Sequence, residues 1–477
     1  MNKNIHRVRK NVVVVGAGPA GCAASIACSR NGQHTVLIEK NSILGGMSTA
    51  GLVKPFMTSY VKDKKVIAGI FSEIVDRLRF YNGALGPLKC PYTENFNKRD
   101  VVIRSKDQTD THGTGGYITL FDPEVLKYVL IEEIQRAGIE LVLHSFLSDV
   151  TVENNRIKEI VTNTKSGTYI YEPDLVIDAT GDGDVAALAG CRYVLGREED
   201  RYCQPVSVMY TLGGIDADRV REYILQNRDQ FEWLTFPEVK ENIPPTFESK
   251  PFAGSGFFDI IAQAKKEEGL VFGRNQVTFF TDLRKGELTI NATRVSGIDG
   301  TKVEDLTKAE IETRKQVFSL TGALRRSVPG FENCFILASS STIGVRESRK
   351  IVGEYILTKE DVLNSKQFFD SICQGAFPVD IHDPVGEKGT WIELNDSYSI
   401  PYRCLITPEI DNLIIAGRCI STTHDAQAST RVMPTCIAIG QAAGTAAAII
   451  RQQITKNVHN IEIKELQNRL QNQGAII

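Results

Sequence analysis

The sequence predicts an α/β fold in which a parallel sheet with a small β-meander is interrupted by a long α+β insertion. Three observations predict it. Val12–Val15 is an all-β-branched run feeding a glycine-rich turn and a helix of small residues; a second helix-and-strand array lies between Asp122 and Asp178; strand-then-helix patterning returns after Asn412, past a long stretch of mixed texture. At 477 residues the chain has room for two to three domains. Its 42% hydrophobic and 24% charged residues are close to the globular average, which excludes a disordered chain and a fibrous repeat.

Each element has a local reason. Val12–Val15 has the pattern of a strand buried on both faces, and Gly16-Ala17-Gly18-Pro19-Ala20-Gly21 ends it. A helix runs to about Ser29, Asn31-Gly32 turns the chain, and Thr35–Ile38 makes a second strand closed by Glu39. That is a complete βαβ unit. Asp122-Pro123-Glu124 is a helix start, with an N-cap acceptor, a proline at N1 and an acid in the first turn. Leu126, Val129, Leu130, Ile134 and Ala137 then form one apolar stripe, and Gly138 stops the helix. Strand-like segments at 139–146, 149–153, 157–162, 168–171 and 175–178 read as one parallel strand plus an antiparallel meander. From about Gly196 to Pro401 strands, loops and charged helices alternate as a separate inserted unit. The α/β character returns with a strand at Asn412–Ala416 and a helix from Pro434 to about Gln452, where Gly440, Gly444 and Ala447 put small residues on one face.

Charge and cysteine content exclude several classes. Lys plus Arg is 55 against 58 for Asp plus Glu, a net charge of -3, so nucleic acid is not the expected partner. The ten cysteines contain no C-x-x-C pair, which removes a zinc knuckle and a thioredoxin-type dithiol and predicts reduced thiols in a cytoplasmic protein with no metal site. Basic Met1–Lys10 before an apolar run imitates a signal peptide, but three glycines at fixed offsets and Pro19 argue against one. No membrane span is expected: Cys436–Ile450 comes nearest and carries Gln441 and two glycines.

The glycine turn carries the first chemical expectation. The first glycine permits the tight turn, the second lets a pyrophosphate approach the backbone, and the third lets helix pack on strand; Gly16, Gly18 and Gly21 fill these roles. A pyrophosphate then lies on free amides at the positive end of the helix dipole, while Glu39, 18 residues beyond Gly21, accepts the ribose hydroxyls of an unphosphorylated dinucleotide, FAD or NAD. This is a Rossmann-like domain. Leu44-Gly45-Gly46-Met47-Ser48-Thr49-Ala50-Gly51, just past the second strand, supplies glycines and hydroxyls where a chain would wrap an extended ligand, which favours FAD.

Six segments, VVVVGAGPAGCAASIA, EKNSILGGMSTAG, DLVIDATGDGDVAALAG, INATRVSGIDGT, IGVRESRKIVGEYILT and NLIIAGRCISTTHDAQASTRVMPTCIAIGQAAGTAAA, span nearly the whole chain. On them the sequence resembles the two-domain FAD-dependent oxidoreductases of the glutathione-reductase-like superfamily, and more narrowly the bacterial FAD-dependent oxidoreductase family related to fumarate reductase and succinate dehydrogenase flavoproteins. The resemblance implies a Rossmann-like FAD-binding domain with β-meander from residues 1–60, 117–195 and 405–477, with a cap segment at 61–116 and an inserted α+β substrate domain at 196–404. It implies FAD contacts from Gly16, Gly18, Ala20, Gly21, Glu39, Lys40, Gly45, Gly46, Met47 and Thr49. Further contacts come from Ala179, Thr180 and Gly181, from Gly417 and Arg418, and from Val432 to Thr435 at the last helix start. A helix N-terminus there, with Pro434 as its first residue, would stabilise negative charge on the reduced flavin.

The stretch beyond the Gly-Gly pair holds Met47, Ser48 and Leu52, not the two cysteines of flavin disulfide reductases. No second glycine-turn unit exists to bind NAD(P)H, and no histidine stands near Gly45–Gly51 for covalent attachment, so FAD is expected to be non-covalent. Among the histidines His112, His382 and His424 remain as candidates for chemistry. His424, between the last strand and last helix, is the first choice as acid/base; His382 reads as part of a solvated Asp380-Ile381-His382-Asp383 loop. Arg294, Arg346, Arg418 and Arg431 fall in the family-like segments, and a guanidinium grips a carboxylate through two parallel hydrogen bonds. By resemblance Arg346 and Arg431 are expected at the substrate or flavin edge; Glu347 and Glu354 offer them and Arg349 the alternative of ordinary helical ion pairs. The expected activity is hydride transfer between flavin N5 and a small organic substrate, with a carboxylate as its candidate handle and an unknown electron partner. A flavin-dependent RNA-modifying protein and a flavin-binding sensor stay open as alternatives.

Overall fold

In the computed structural model, residues 4–90, 92–94, 116–237, 239, 247, 250–267, 269–270, 272–385 and 389–477 are described. Strand β1 (Ile5–Val15) ends in four buried valines and is the centre of the first sheet. Helix α1 (Pro19–Arg30) leads to β2 (Thr35–Ile38), which pairs parallel with β1 from Val12↔Thr35 to Val15↔Ile38. Helix α2 (Pro123–Arg136) starts as expected, the Asp122 side chain accepting from the Glu124 amide at 2.8 Å, and feeds β3 (Glu140–Val142) beside β2. Strands β4 (Phe146–Glu153) and β5 (Arg156–Thr164) form the meander with the first half of β6 (Gly167–Asp178). The segments expected as two strands at 168–171 and 175–178 are this one strand. It leaves β5 after Tyr171 and takes a parallel neighbour from Val176 onward, passing Pro173, which cannot donate to a ladder, between the two.

The second sheet is antiparallel throughout. Strands β7 (Tyr210–Gly213), β8 (Phe231–Thr235), β9 (Ala253–Gly256), β10 (Val277–Thr281), β11 (Leu288–Asn291) and β12 (Phe335–Ser339) lie in the order β12-β7-β11-β10-β9-β8, with Tyr92–Glu94 beyond β8. Helix α3 (Val303–Ser327) covers one face, its Val317, Leu320, Ala323 and Leu324 in a core with Phe257, Phe279 and Phe331. This core gathers buried residues from Val206 to Ile343. Residues 351–404, assigned from sequence to the insertion, instead contribute Ile351, Val362, Tyr398 and Cys404 to the first core, and Arg349–Ile351 pairs with Tyr193–Leu195. The helix Ile70–Phe80, assigned to the cap, also buries Ile70, Phe71 and Ile74 in the first core.

The chain returns to the first sheet as β13 (Leu413–Ile415), parallel to the end of β6, followed by α4 (His424–Thr430) and α5 (Met433–Gln452). Helix α5 lies directly on α1: a Cβ on Gly440 would stand 2.1 Å from the Ala20 carbonyl oxygen, and one on Gly444 2.0 Å from that of Ala24. By length and composition α5 is apolar enough to cross a membrane, contrary to the reading that Gln441 and the glycines interrupt it; its most apolar 18 residues are wholly buried within the protein. Three polar ties join the two sheets' surroundings: Lys54 with Asp282, both under 10% exposed, Arg284 with Asp122 at 2.6 Å, and the Ser341 amide to the Ala50 carbonyl at 2.8 Å.

Candidate active site

A cleft of about 1270 Å³ opens between the two sheets, bounded on one side by the carboxyl ends of β1, β6 and β13 and the amino ends of α1 and α5. Gly16 has a positive φ of 96°, and a Cβ there would meet the Ala179 carbonyl oxygen at 2.5 Å; nothing stands within 4 Å of a Cβ on Gly18, so the space above that α-carbon is open. Gly21 does not line the cleft. Its Cβ would be 1.8 Å from the Gly16 oxygen, the helix-on-strand contact expected of the third glycine. No side chain caps α1, whose first residue is Pro19, so its free amides face the opening beside Ala20. Glu39 lines the cleft, 6% exposed, one carboxylate oxygen accepting from the Ala17 amide at 2.8 Å and the other from the Asn41 amide at 2.8 Å.

Lys40, Gly46, Met47, Ala179, Thr180, Gly181, Gly417, Arg418 and Val432 line the same space, as expected. Gly45, Thr49 and Thr435 do not. Gly45, with φ 95°, donates its amide to Ala17, and the Thr49 hydroxyl donates to the Leu44 carbonyl, so this pair shapes the turn that presents Gly46 and Met47. Thr435 is buried inside α5, and that helix starts at Met433 with Val432 as its cap, one residue ahead of expectation. Arg418 is held by Asp182 at 2.6 Å and the Ser348 hydroxyl at 2.9 Å, a strut between the ends of β6 and β13. Two uncapped helix starts, an open glycine and an anchored buried carboxylate on one surface fit an extended dinucleotide with a flavin at the α5 end.

The other part of the cleft is cationic. Arg274, Arg294, Arg346 and Arg431 all line it, with Asp380 and His382 among them. Arg346 donates to the Pro205 carbonyl at 2.8 Å, Arg294 to the Asp383 carbonyl, and Arg274 to the Asn291 carbonyl at 3.4 Å. Arg431 donates to the Asp380 carbonyl at 3.0 Å, and its Nη1 is buried with no hydrogen-bond partner. Burial, then the neighbouring Arg431 and Arg274, push Arg346 down to about 9, which leaves it charged at neutral pH. Asp380 stays below the usual carboxylate range: burial opposes this, but His382, Arg431 and Arg346 outweigh it. His382 Nε2 is 3.6 Å from Asp380, and burial lowers the imidazole to about 4 against the pull of that carboxylate.

These positions revise three expectations. His424 is not at the cleft: it lines a separate hollow of about 40 Å³ with Lys350, and its Nδ1 lies 2.9 Å from Glu347, which also accepts from Lys350 at 2.6 Å and the Gln204 amide at 3.0 Å. The expected helical pairing of Glu347 and Glu354 with the arginines is absent because the chain there is loop and strand; Arg349 pairs with Asp184 and Glu354 with His459. His382, read as a solvated loop residue, stands on the strand Val379–His382, whose period of two puts Asp380 and His382 on one face. That alternation was the available signal. His112 lies outside the described residues. Trp391, donating to Glu393 at 2.7 Å, and the cleft-facing residues of β8–β11 were also missed.

A family model described as FAD dependent oxidoreductase matches residues 11–470. A thiamine thiazole synthase of Aeropyrum pernix is 28% identical over 156 residues, 33% of this chain and 44% of the relative. A digeranylgeranylglycerophospholipid reductase of Methanothrix thermoacetophila is 29% identical over 224 residues, 46% of this chain and 51% of the relative. Each match thus spans about half of the relative or less. Among solved structures, a geranylgeranyl bacteriochlorophyll reductase-like protein from Thermoplasma acidophilum aligns over 98% of this chain and 85% of that one, with a TM-score of 0.49 and 12% identity.

Proposed function

The chain belongs to the FAD-dependent oxidoreductase family, and from that premise we propose that it exchanges hydride with a small carboxylate-bearing substrate held between the two sheets. The observation that carries this reading is that Arg274, Arg294, Arg346 and Arg431 line one cleft with Asp380 and His382, Arg431 directly before the start of α5. FAD, bound without a covalent link, supplies two-electron hydride chemistry. The free amides at the start of α1 would hold its pyrophosphate and Glu39 its ribose, and the start of α5 would stabilise the charge that reduction brings.

The remaining work falls to side chains. Arg431 and Arg346 grip the substrate carboxylate, the unpartnered Nη1 of Arg431 gaining an acceptor when they do. His382, neutral at physiological pH, takes a proton from the substrate, and the surrounding guanidiniums stabilise the anionic species that result. Ten unpaired, buried cysteines support a reducing, cytoplasmic setting.

The test is Arg431→Gln in the purified flavoprotein, with anaerobic bleaching of the flavin by a panel of small carboxylates and their amides as the measurement. The expected result is a rise of about 100-fold in the carboxylate concentration needed for half-maximal bleaching, with the yellow colour retained. Equal bleaching by the amides, or no effect of the substitution, removes the carboxylate reading.

A further inference from the structure

The wall opposite the first sheet has a chemistry set by strand register. Trp233 stands across from Ser255, Ser255 from Thr278, and Thr278 from Asn291, so one indole, two hydroxyls and a carboxamide form a row across β8, β9, β10 and β11. At the ordinary spacing between neighbouring strands the row spans roughly 14 Å. All four residues line the cleft, whereas the alternate residues Leu234, Phe279 and Ile290 face the core under α3. At one end Arg274 donates to the Asn291 carbonyl, tying the row to the guanidinium cluster; at the other, Trp233 and Phe280 bring their ring centroids to 6.4 Å.

These polar groups are not a solvated sheet face. Ser255 is 0% and Thr278 9% exposed, and the Ser255 and Thr278 hydroxyls share a 2.9 Å hydrogen bond that leaves both with further capacity. The buried Oδ1 of Asn291 has no partner, an unmet capacity that a ligand donor would fill. An apolar substrate body would leave the Asn291 carboxamide unsatisfied. A body bearing hydroxyls at regular intervals would satisfy it, and Trp233 and Trp391, both lining the cleft, suit the apolar C–H faces of sugar rings.

We infer that the substrate is a sugar acid: its carboxylate lies on Arg346 and Arg431 and its hydroxylated ring runs along Asn291 and Thr278 toward Trp233. The inference rests on the carboxylate reading above and adds the class of body that the carboxylate carries. The row is longer than one six-membered ring, so a glycosidically linked second ring reaches the indole.

Trp233 and Trp391 are the only two tryptophans of the chain, and both line the cleft, so intrinsic fluorescence of the FAD-loaded protein reports binding there without turnover. The probes are glucuronate, galacturonate and a glucuronosyl disaccharide, against hexanoate as a carboxylate without hydroxyls and methyl glucoside as a sugar without a carboxylate. Sugar acids are expected to half-saturate at concentrations about 100-fold below hexanoate. The double variant Thr278→Val, Asn291→Leu should remove that advantage and leave hexanoate binding unchanged. If hexanoate binds as tightly as the sugar acids and Arg431→Gln weakens both, the sugar inference falls and the carboxylate reading stands. If methyl glucoside matches glucuronate, the carboxylate reading falls and the sugar acid with it, leaving a neutral sugar as the occupant of the row. Fluorescence unmoved by every probe overturns both.

Discussion

The two walls of the cleft bind by different means. The wall from β1, β6, β13, α1 and α5 offers backbone: an open α-carbon at Gly18, free amides at two helix starts, and a carboxylate, Glu39, fastened by backbone donors. The wall from β8–β11 offers side chains, an indole, hydroxyls and a carboxamide, and beside it stand four guanidiniums and the His382 imidazole. A ligand recognised through backbone needs residues that are small, at spacings that a single turn dictates. A ligand recognised through side chains needs only that distant strands bring the right groups into one row, and the strands themselves can be ordinary. The first wall is therefore intolerant of added atoms, and the second of removed ones.

That asymmetry can be broken most severely at the helix contact. Gly440→Val puts a side chain where even a Cβ lies 2.1 Å from the Ala20 carbonyl, and is expected to cost on the order of 3 kcal/mol or more and to yield colourless protein. Thermal unfolding and flavin absorbance of the purified variant measure it; a yellow protein of unchanged stability means the α1–α5 contact is looser than described.

Beside the opposite wall, His382→Gln should lower turnover by about 100-fold while flavin content and carboxylate binding persist. The pH profile sharpens this. With the imidazole at about 4, wild-type turnover stays level from neutral pH to about 5 and falls as acid protonates the acceptor; the glutamine variant has no such limb. An acid limb retained in the variant assigns the proton elsewhere.

The smallest effect is expected behind the cleft. His424→Ala leaves Glu347 with Lys350 and the Gln204 amide, so about 1–2 kcal/mol of stability is lost and turnover changes by less than about threefold. Chemical denaturation and steady-state kinetics separate this from the His382 effect; a turnover loss as large as that of His382→Gln would put the proton on the wrong histidine.

The same asymmetry governs what could be read from sequence. Gly16, Gly18 and Gly21 with Glu39 are legible because one βαβ unit contains all of them, and Gly440 and Gly444 because a close helix contact demands small residues at i and i+4. His424 misled because its position between the last strand and helix said nothing of which way the ring turns, and a buried carboxylate, Glu347, turns it away. Trp233, Ser255, Thr278 and Asn291 leave no local trace: within each strand they are the polar half of an alternation, and only register across 58 residues of chain makes them neighbours. Asp380 and His382 fall between, visible as an alternation once their segment is taken as a strand.

Lys54 and Asp282 carry one more implication. Both charges are nearly sealed from water, they come from opposite lobes, and the Asp282 carboxylate also accepts from the Thr289 hydroxyl at 2.8 Å. Swinging the lobes apart would break this pair and exchange its sealed contact for hydration of both ions. A pair sealed in this way acts as a latch between the two lobes.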